Sequence, residues 1–208
     1  MTRPFTTGMR RLRPLPVAFY ARETELVARE LLGTVLECTV RGTRCRGRIV
    51  ETEAYTGEED LACHAAAGRT ARTEVLYGPP GRAYVYFIYG MHWCVNAVTR
   101  RAGMPSAVLI RAVEPIDGIE AMRRRRHSRP DRELTNGPAK LCEAFGITGP
   151  RFHGASLISS PLRILAGDTI AEADVAVTAR IGISKAAEDP LRWIVRSSSY
   201  VSGKSGER

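Results

Sequence analysis

Apolar and polar residues alternate in short blocks along the chain, and these blocks predict a fold of mixed strands and helices. Period-two runs rich in β-branched and aromatic residues predict strands. The strands are expected over residues 34–41, 44–55, 82–89, 92–99, 106–113, 163–165, 175–179 and 193–196. The first four form two hairpins, which reverse at Gly42-Thr43 and at Gly90-Met91. Tyr89 lies close to the tip of the second hairpin, and Arg111 lies on the strand that follows it.

Apolar residues at helical spacing, together with start and stop signals, predict four helices. They are expected over residues 21–32, 61–66, 117–127 and 139–145. Gly33 and Gly146 end the first and the last of these helices. Asp60 caps the second, and Asn136-Gly137-Pro138 starts the last. No internal repeat or low-complexity linker interrupts the pattern, which favours a single α+β domain.

The domain is expected over residues 17–196, with a mostly antiparallel sheet, helices around the sheet and one hairpin that protrudes. Residues 1–16 contain three prolines and four arginines without a periodic apolar pattern, which predicts a flexible basic arm. Residues 197–208 predict a mobile tail.

Composition and charge narrow the classes of function. The 208 residues are 44% hydrophobic and 25% charged, which is typical of a soluble globular protein. The formal net charge of +9 favours a polyanionic partner, because each neutralised phosphate releases a counterion. No apolar stretch approaches the roughly 18 residues of a membrane span, and the first residues lack the apolar core of a secretory signal. We therefore expect no membrane partner and a cytoplasmic location, at the nucleoid in a bacterium.

The five cysteines are an odd number without a CxxC pair, which predicts reduced and mostly buried thiols. A zinc site can be drawn from Cys63, His64, His92 and Cys94. Adjacent ligands such as Cys63 and His64 usually point in different directions, so this spacing disfavours a metal site and we expect none.

One stretch combines acids with aromatic residues and is the candidate for catalysis. Side chains alternate along a strand, so Glu51, Glu53 and Tyr55 share one face of their strand. If that face lines a cleft, one acid can be held where a substrate will lie. Further along the chain come His64 and an aromatic ladder. The ladder consists of Tyr84, Tyr86, Phe87 and Tyr89. One carboxylate among aromatic rings, on a basic protein, suggests chemistry on a nucleobase.

Several of these features have simpler interpretations. The two acids could lie on an exposed strand face and pair with Arg46 and Arg48, and the tyrosines could only fill the core. The arginine run at residues 123–126 could be a solvated helix face or could bind phosphates. The N-terminus of the helix over residues 139–145, with Lys140 in its first turn, could hold a backbone phosphate.

Longer blocks of the sequence resemble one protein family. The blocks are IVETEAY, ACHA, GPPGRAYVYFIYGMHWCVN, LIRAVEP, NGPAKLCEAFGI and ARIGI. In this order, over roughly residues 20–196, they resemble the alkyladenine DNA glycosylases, also called 3-methyladenine or methylpurine DNA glycosylases. The chain departs from the family at Thr70-Ala71-Arg72-Thr73, where many members have a TPRN-like segment. The contribution of that loop to DNA placement is therefore not carried over.

The resemblance implies a catalytic centre for monofunctional hydrolysis of the N-glycosidic bond. Glu53 matches the general base that activates water, and Arg111 matches the arginine that holds this carboxylate and the water. Ile181 matches the residue whose main-chain carbonyl also binds the water. The implied substrates are 3-methyladenine, 7-methylguanine, hypoxanthine and ethenoadenine, each flipped out of duplex DNA and excised to leave an abasic site. The family needs no metal and no organic cofactor.

The resemblance also implies a base pocket. Tyr55, His64 and Tyr86 match its walls, and His64 also hydrogen-bonds the extruded purine. Asn96 matches the side chain that excludes the amino group of normal guanine.

Three further residues match DNA contacts of the family. We expect a monomer, because one glycosylase domain can straddle its site alone. Tyr89 matches the wedge that a protruding hairpin inserts into DNA, with Met91 beside it, and Lys140 matches a lysine close to the backbone. Two alternatives remain open at this stage. One is a binding module for damaged DNA or for RNA without catalysis, and the other is a formyl-group transferase or a similar small-molecule enzyme.

Overall fold

The computed structural model describes residues 12–203, which form one domain around an eight-stranded sheet. The strands are β1 (Val35–Val40), β2 (Thr43–Tyr55), β3 (Ala83–Ile88), β4 (His92–Val98), β5 (Ala107–Asp117), β6 (Leu162–Leu165), β7 (Val175–Thr178) and β8 (Arg192–Val195). Neighbours follow the order β3-β4-β5-β2-β1-β6, and β8 pairs with both β2 and β7. Every pair is antiparallel, which confirms the predicted α+β class with a mostly antiparallel sheet.

The helices of the described residues are short, and two of them pack on the sheet. They are α1 (Val17–Tyr20), α2 (Thr24–Leu31), α3 (Ile119–Arg125), α4 (Pro138–Phe145) and α5 (Gly149–Phe152). Helix α2 packs against β2, and α4 packs against β4 and β5. The side chains between these layers are almost wholly excluded from water, and they include Val27, Leu31, Ile49, Ile110, Leu141 and Phe145. Burial of this apolar surface is the main favourable contribution to folding.

Strand β2 is the longest strand and forms three pairings. Its first half pairs with β1, its residues 51–53 pair with β8, and β5 lies along its other edge. The register against β5 shifts three times, and at the second and third shifts Val50 of β2 and Arg111 of β5 are the extra residues of two β-bulges. A bulge bends a strand and changes the direction of a side chain. The bulge at Arg111 accompanies the approach of its side chain to Glu51 and Glu53 of β2.

The hairpin of β3 and β4 confirms the second predicted hairpin. The β-turn between the paired ends Ile88 and His92 has two central residues, Tyr89, with φ of 51°, and Gly90, with φ of 68°. It lies one residue earlier than the predicted reversal at Gly90-Met91. Such a tight turn needs positive φ at both central positions, which glycine adopts more readily than tyrosine. Tyr89 is 80% exposed and Met91 is 68% exposed, so two large apolar side chains face the solvent at the tip.

Two helix predictions were wrong in detail. Asp117 is the last residue of β5, and α3 begins at Ile119 after Gly118, whose φ is +78°. A Cβ at Gly118 would lie 2.3 Å from the carbonyl oxygen of Arg44, so the chain turns sharply here before the helix can start. The helix expected over residues 61–66 is a short 3₁₀ turn, His64–Ala67.

The ends of the described chain lie against the sheet. Pro14 forms a β-bridge with Leu165, and the N–H of Leu15 donates to the carbonyl of Ile164. At the other end, Ser202 hydrogen-bonds to Glu51. The described parts of the expected basic arm and mobile tail are therefore attached to the domain, whereas residues 1–11 and 204–208 lie outside the described residues. Within residues 12–203, no helix combines the length and the apolar character needed to cross a bilayer.

Candidate active site

Cross-strand neighbours place the candidate residues in a row across four strands. Tyr84 of β3 lies opposite Asn96 of β4, Asn96 lies opposite Leu109 of β5, and Leu109 lies opposite Glu53 of β2. Opposed residues of an antiparallel pair project to the same face of the sheet. The period of two then brings Tyr86 and Tyr55 onto this face, although the chain separates these residues widely.

This face is the floor of a cleft of about 580 Å³. Its lining is mostly aromatic and apolar, with a few polar groups, as is typical of a pocket for a small ligand or a single base. Among the residues that line it are Tyr55, His64, Tyr86, Asn96, Arg111 and Ile181. Six of the residues expected at the catalytic centre and the base pocket therefore share one cavity, and the seventh, Glu53, lies directly beneath its surface.

The carboxylate of Glu53 is buried, with 0% of the residue exposed, and accepts three hydrogen bonds. Its Oε2 accepts from the hydroxyl of Tyr55 at 2.8 Å and from Nη1 of Arg111 at 3.2 Å. Its Oε1 accepts from the backbone N–H of Ile181 at 2.8 Å. Nη1 of Arg111 also donates to the carbonyl of Ile181, at 3.4 Å. The structure thus brings Glu53, Arg111 and Ile181 into direct contact.

The charges around Glu53 fix the protonation of its neighbours. Burial and the adjacent Glu53 carboxylate raise the pKa of Tyr55, so its phenol remains a neutral donor. Burial alone would lower the pKa of Arg111, but the two nearby carboxylates outweigh it and raise that pKa. Arg111 is therefore a permanent cation beneath the cleft.

Glu51 belongs to a second, deeper set of contacts that sequence reasoning did not assign to the site. Its Oε1 accepts from Nε of Arg111 at 3.0 Å and from Nε of Arg192 at 2.7 Å. Ser202 donates to both carboxylate oxygens. Because both acids of β2 are buried and bound to Arg111, the alternative of an exposed strand face is wrong. Arg192 and Ser202 could be found only through the fold, since they come from the distant C-terminal segment.

The aromatic wall is a connected group of rings. Nδ1 of His64 lies 2.8 Å from the hydroxyl of Tyr84, and the rings of His64 and Tyr86 meet edge to face with centroids 4.5 Å apart. Burial lowers the pKa of His64, and the guanidinium of Arg72 lowers it further. The imidazole is therefore neutral at neutral pH. Asn96, which is 4% exposed, donates from Nδ2 to the carbonyl of Tyr84 at 3.0 Å, so its amide is fixed against the floor.

A buried ion pair supports Tyr55 from behind. The two terminal nitrogens of the Arg180 guanidinium, Nη1 and Nη2, donate to the two carboxylate oxygens of Asp60, at 2.6 and 2.9 Å. The Arg180 guanidinium carbon lies 4.9 Å from the centroid of the Tyr55 ring. Asp60 also accepts hydrogen bonds from the backbone N–H groups of Thr56 and Ala62. The prediction that it caps a helix was wrong, because the 3₁₀ turn begins at His64 and has no side-chain cap. Arg180 directly precedes Ile181 in the sequence. This adjacency is the signal by which Arg180 could have been assigned to the site.

Arg72 stands at the edge of the aromatic wall. Its guanidinium carbon lies 5.5 Å from the centroid of the Tyr86 ring, within the range of a cation–π contact. Arg72 comes from the loop, residues 70–73, in which the sequence differs from the family pattern. The resemblance therefore did not assign Arg72 to the site.

The expected DNA contacts lie at the margin of the cleft. Tyr89 is part of its lining, and its neighbour Met91 extends into solvent at the hairpin tip. Pro138 and Ala139 at the start of α4 also line the cleft. Lys140 follows them in the first turn, where Nζ donates to Oδ1 of Asn136 at 2.9 Å.

The thiols and histidines do not assemble a metal centre in the described part of the chain. Within residues 12–203, no group of three or more His, Cys, Asp or Glu side chains is arranged to hold a metal ion. All five cysteines are free and buried. Burial raises the pKa of Cys94 to about 11, so that thiol stays protonated at neutral pH.

Comparison with known proteins identifies the family of the chain. The family profile of the methylpurine-DNA glycosylases matches residues 18–199. A protein of Koribacter versatilis is 47% identical over 95% of this chain and 97% of its own length. One of Myxococcus xanthus is 49% identical, covering 90% of this chain and 93% of its own length. Both carry the name "Putative 3-methyladenine DNA glycosylase". The chain is therefore a DNA glycosylase and belongs to the methylpurine-DNA glycosylase family.

Proposed function

We propose that this chain flips a damaged purine out of duplex DNA and hydrolyses its N-glycosidic bond, leaving an abasic site for base-excision repair. One observation carries the proposal. The buried carboxylate of Glu53 lies beneath an aromatic cleft and is held in place by Tyr55, Arg111 and Ile181. A carboxylate held in this way is preorganised to act on one atom of a bound nucleotide.

In the proposed reaction, Glu53 is the general base. A water molecule attacks the anomeric carbon of the deoxyribose, the carbon–nitrogen bond to the purine breaks, and Glu53 accepts the proton of the water. Oε2 of Glu53 already accepts two hydrogen bonds, whereas Oε1 accepts one and retains acceptor capacity for the water. Nη1 of Arg111 and the carbonyl of Ile181 lie 3.4 Å apart beside it and could hold the water. General-base help of this kind contributes about 10²–10⁴-fold to a rate.

A single carboxylate suffices when the leaving purine already carries a positive charge. Glycoside hydrolysis usually needs a second carboxyl group to protonate the leaving group. Purines alkylated at N3 or N7, such as 3-methyladenine and 7-methylguanine, are cations and leave without that proton. Hypoxanthine and ethenoadenine are neutral and need protonation. Because its pKa is lowered, His64 is not charged at neutral pH, so we assign it hydrogen bonding to the base and not the role of acid.

The aromatic wall is proposed to receive the extruded base between Tyr55, His64 and Tyr86. Stacking on an aromatic side chain is worth about 1–3 kcal/mol per base, which is comparable with the few kcal/mol needed to unstack and unpair a nucleotide. Damage that weakens pairing then favours capture. The amide of Asn96, fixed through Tyr84, is proposed to exclude the amino group of normal guanine.

The hairpin tip is proposed to occupy the gap that the flipped nucleotide leaves. Tyr89 is a large apolar side chain that adjoins the cleft, and Met91 is exposed beside it. Insertion of such a wedge between base steps is an established way to hold DNA open. Lys140, at the start of α4, is proposed to contact the backbone.

We further propose a monofunctional hydrolase that acts as a monomer on double-stranded DNA without a metal or organic cofactor. A lyase would need an amine to attack the sugar. Lys140 follows two cleft-lining residues, Pro138 and Ala139, and its Nζ is bonded to Asn136.

Excision of single lesions tests this function. Duplexes that contain one hypoxanthine or one ethenoadenine, and DNA methylated at purines, are incubated with the protein and then treated with alkali. We expect cleavage at the lesion only after alkali, and no protein–DNA adduct on borohydride treatment. Tight lesion binding without excision of any base would instead favour a damaged-DNA binding module. A nicked product before alkali, together with a trapped adduct, would contradict the monofunctional mechanism.

A further inference from the structure

A second concave surface, apart from the cleft, is lined by arginines. This cavity of about 430 Å³ lies between the β1–β2 turn, α3 and the end of α4. Four guanidinium groups and two hydroxyls contribute to its lining: Arg41, Arg124, Arg125, Arg151, Thr43 and Thr148. None of its lining residues is acidic. We call this surface the arginine pocket.

Partners elsewhere neutralise only part of the arginine run on α3. Arg123 pairs with Asp131 and Glu120, and Arg126 pairs with Glu143. Arg123 therefore behaves as part of a solvated helix face, whereas the side chain of Arg126 is only 14% exposed and is held by its acid. The remaining two, Arg124 and Arg125, face the arginine pocket instead.

Within the arginine pocket, one guanidinium is anchored and two have no protein partner. Nη1 of Arg125 donates to the carbonyl of Ala144 at 2.9 Å, which fixes it at the C-terminal end of α4. Among residues 12–203, no hydrogen bond or ion pair engages the guanidinium groups of Arg41 and Arg124. Five donors per guanidinium, without an acid nearby, suit an oxyanion such as phosphate.

The β1–β2 turn places Arg41 at an unusual backbone position. Arg41 and Gly42 form a two-residue turn with φ of 50° and 77°. The first of these positions is normally taken by asparagine, aspartate or glycine, because a larger side chain is strained there. Backbone strain of this type is found most often at residues with a function. Here the strained position places a guanidinium at the edge of a basic cavity.

The arginine pocket lies at the same end of the sheet as the tip of the β3–β4 hairpin. Tyr55 pairs with Ala107 at one end of β2 and β5, and the β1–β2 turn lies at the other end. Strand β4 runs antiparallel to β5, so its first residue, His92, also points toward that other end. Helix α4 connects the two cavities, since Pro138 lines the cleft and Gly146, directly after the helix, lines the arginine pocket.

The length of α4 sets the distance between the cavities. Its eight residues span about 12 Å at 1.5 Å per residue. At about 3.4 Å per base pair, this corresponds to between three and four base pairs of duplex DNA. A duplex that ran along α4 from a damaged nucleotide in the cleft would reach the arginine pocket on one side of the lesion.

We propose that the arginine pocket binds a backbone phosphate of the DNA, about three to four base pairs from the damaged nucleotide and on one side of it only. The inference rests on the proposed function, because it assumes that the lesion lies in the cleft. It adds an interaction that makes binding depend on the length of DNA on that side. The interaction positions the duplex and leaves the chemistry at the cleft unchanged.

The test compares two duplexes of equal length whose lesion lies about two base pairs from one end or from the other, which is too short a flank to reach the arginine pocket on that side. The variant is Arg41→Gln/Arg124→Gln, which leaves the anchored Arg125 in place. The control is Arg22→Gln/Arg101→Gln, which removes the same charge from the opposite end of the sheet, where the backbone N–H of Arg100 bonds to Tyr20. Dissociation constants are measured over a range of salt concentrations.

We expect the variant to bind several-fold more weakly to the duplex with the long flank over the arginine pocket and to match wild type on the other duplex. On the first duplex, its slope of log K against log salt should fall by about 0.9 for each phosphate that the variant no longer neutralises. Single-turnover excision at saturating protein should stay at the wild-type rate. Equal weakening on both duplexes, or no difference from the control variant, would overturn the inference. A wild-type protein that excises no lesion would instead overturn the proposed function.

Discussion

Ser202 donates two hydrogen bonds to Glu51, from its backbone N–H to Oε2 at 2.6 Å and from its hydroxyl to Oε1 at 2.7 Å. Its hydroxyl oxygen also accepts from the Arg111 guanidinium at 3.2 Å. The segment after the last strand is therefore in contact with the arginine that holds Glu53. In this arrangement Glu51 is a structural acid, and Ser202 and Arg192 position Arg111 from below.

Replacement Ser202→Ala tests this positioning. The backbone bond to Glu51 remains, so we expect a stability loss on the order of 1 kcal/mol. The single-turnover excision rate should fall several-fold, because the hydroxyl no longer fixes the Arg111 guanidinium, while lesion affinity changes little. Ser159→Ala, at an exposed serine, is the matched control and should leave both quantities unchanged. An unaltered rate in Ser202→Ala would show that the segment has no influence on Arg111.

The Asp60–Arg180 pair is expected to contribute strongly to stability. Both side chains are almost wholly buried, so Asp60→Asn leaves the cation of Arg180 in the interior with only a distant acid, Asp189 at 3.8 Å. Removal of one partner of such a pair costs about 3–5 kcal/mol, which denaturant unfolding would measure. Asp117→Asn breaks an exposed pair with Arg44 and should cost less than about 1 kcal/mol. Similar losses in the two variants would contradict the account of Tyr55 as supported by a buried ion pair.

His64 should make the fold less stable in mild acid. Its folded pKa is lowered, first by burial and then by Arg72, so the unfolded chain binds the proton more readily. Stability is therefore unaffected above the unfolded pKa of about 6.5 and falls as the pH drops from there toward the lower folded pKa. His64→Gln should show a weaker pH dependence of unfolding between pH 7 and the onset of acid unfolding.

Arg72 allows a separate test of the second cause of the lowered His64 pKa, which is the charge of the Arg72 guanidinium. Arg72→Gln should raise the pKa of His64 toward its ordinary value, which NMR titration of the imidazole would show. Arg69→Gln changes an exposed arginine in the same loop that pairs with Glu74, and it should leave the titration of His64 unchanged. Equal effects of the two variants would mean that general charge, and not the position of Arg72, lowers this pKa.

Tyr89→Ala separates DNA binding from folding. The side chain is 80% exposed, so its removal should change the free energy of unfolding little. If Tyr89 fills the gap in the duplex, lesion affinity should fall by about 1–3 kcal/mol, the range for stacking on one base. Val177→Ala, at an exposed residue of β7, is a control of similar character. Wild-type affinity in Tyr89→Ala would contradict the wedge.

The sequence predicted local elements well and distant contacts poorly. Alternation along β2 placed Glu51, Glu53 and Tyr55 on one face, because a period of two is a local property of a strand. Both hairpins were predicted, but each turn lies one residue earlier than expected, at Arg41-Gly42 and at Tyr89-Gly90. Arg192 and Ser202 could not be assigned, since their approach to Glu51 depends on the pairing of β8 with β2. The sequence also did not predict where β5 ends. Gly118 lies too close to the backbone of Arg44 for a side chain, and α3 begins only at the next residue, Ile119.

The arginine run shows a similar limit. Residues 123–126 are identical in type, so no sequence pattern separates those that pair with acids from those that do not. Helical geometry separates them, because successive side chains point in different directions around α3. Two reach acids and two face the arginine pocket.

The central claim is that Glu53 is the general base for hydrolysis, and Glu53→Gln tests it most directly. The change keeps the size of the side chain and removes the carboxylate. Excision of ethenoadenine from duplex DNA and affinity for that duplex are measured for this variant beside wild type. We expect single-turnover excision to fall by about 10²-fold or more, with lesion affinity within a few-fold of wild type. Excision at the wild-type rate in a folded Glu53→Gln protein would contradict the account.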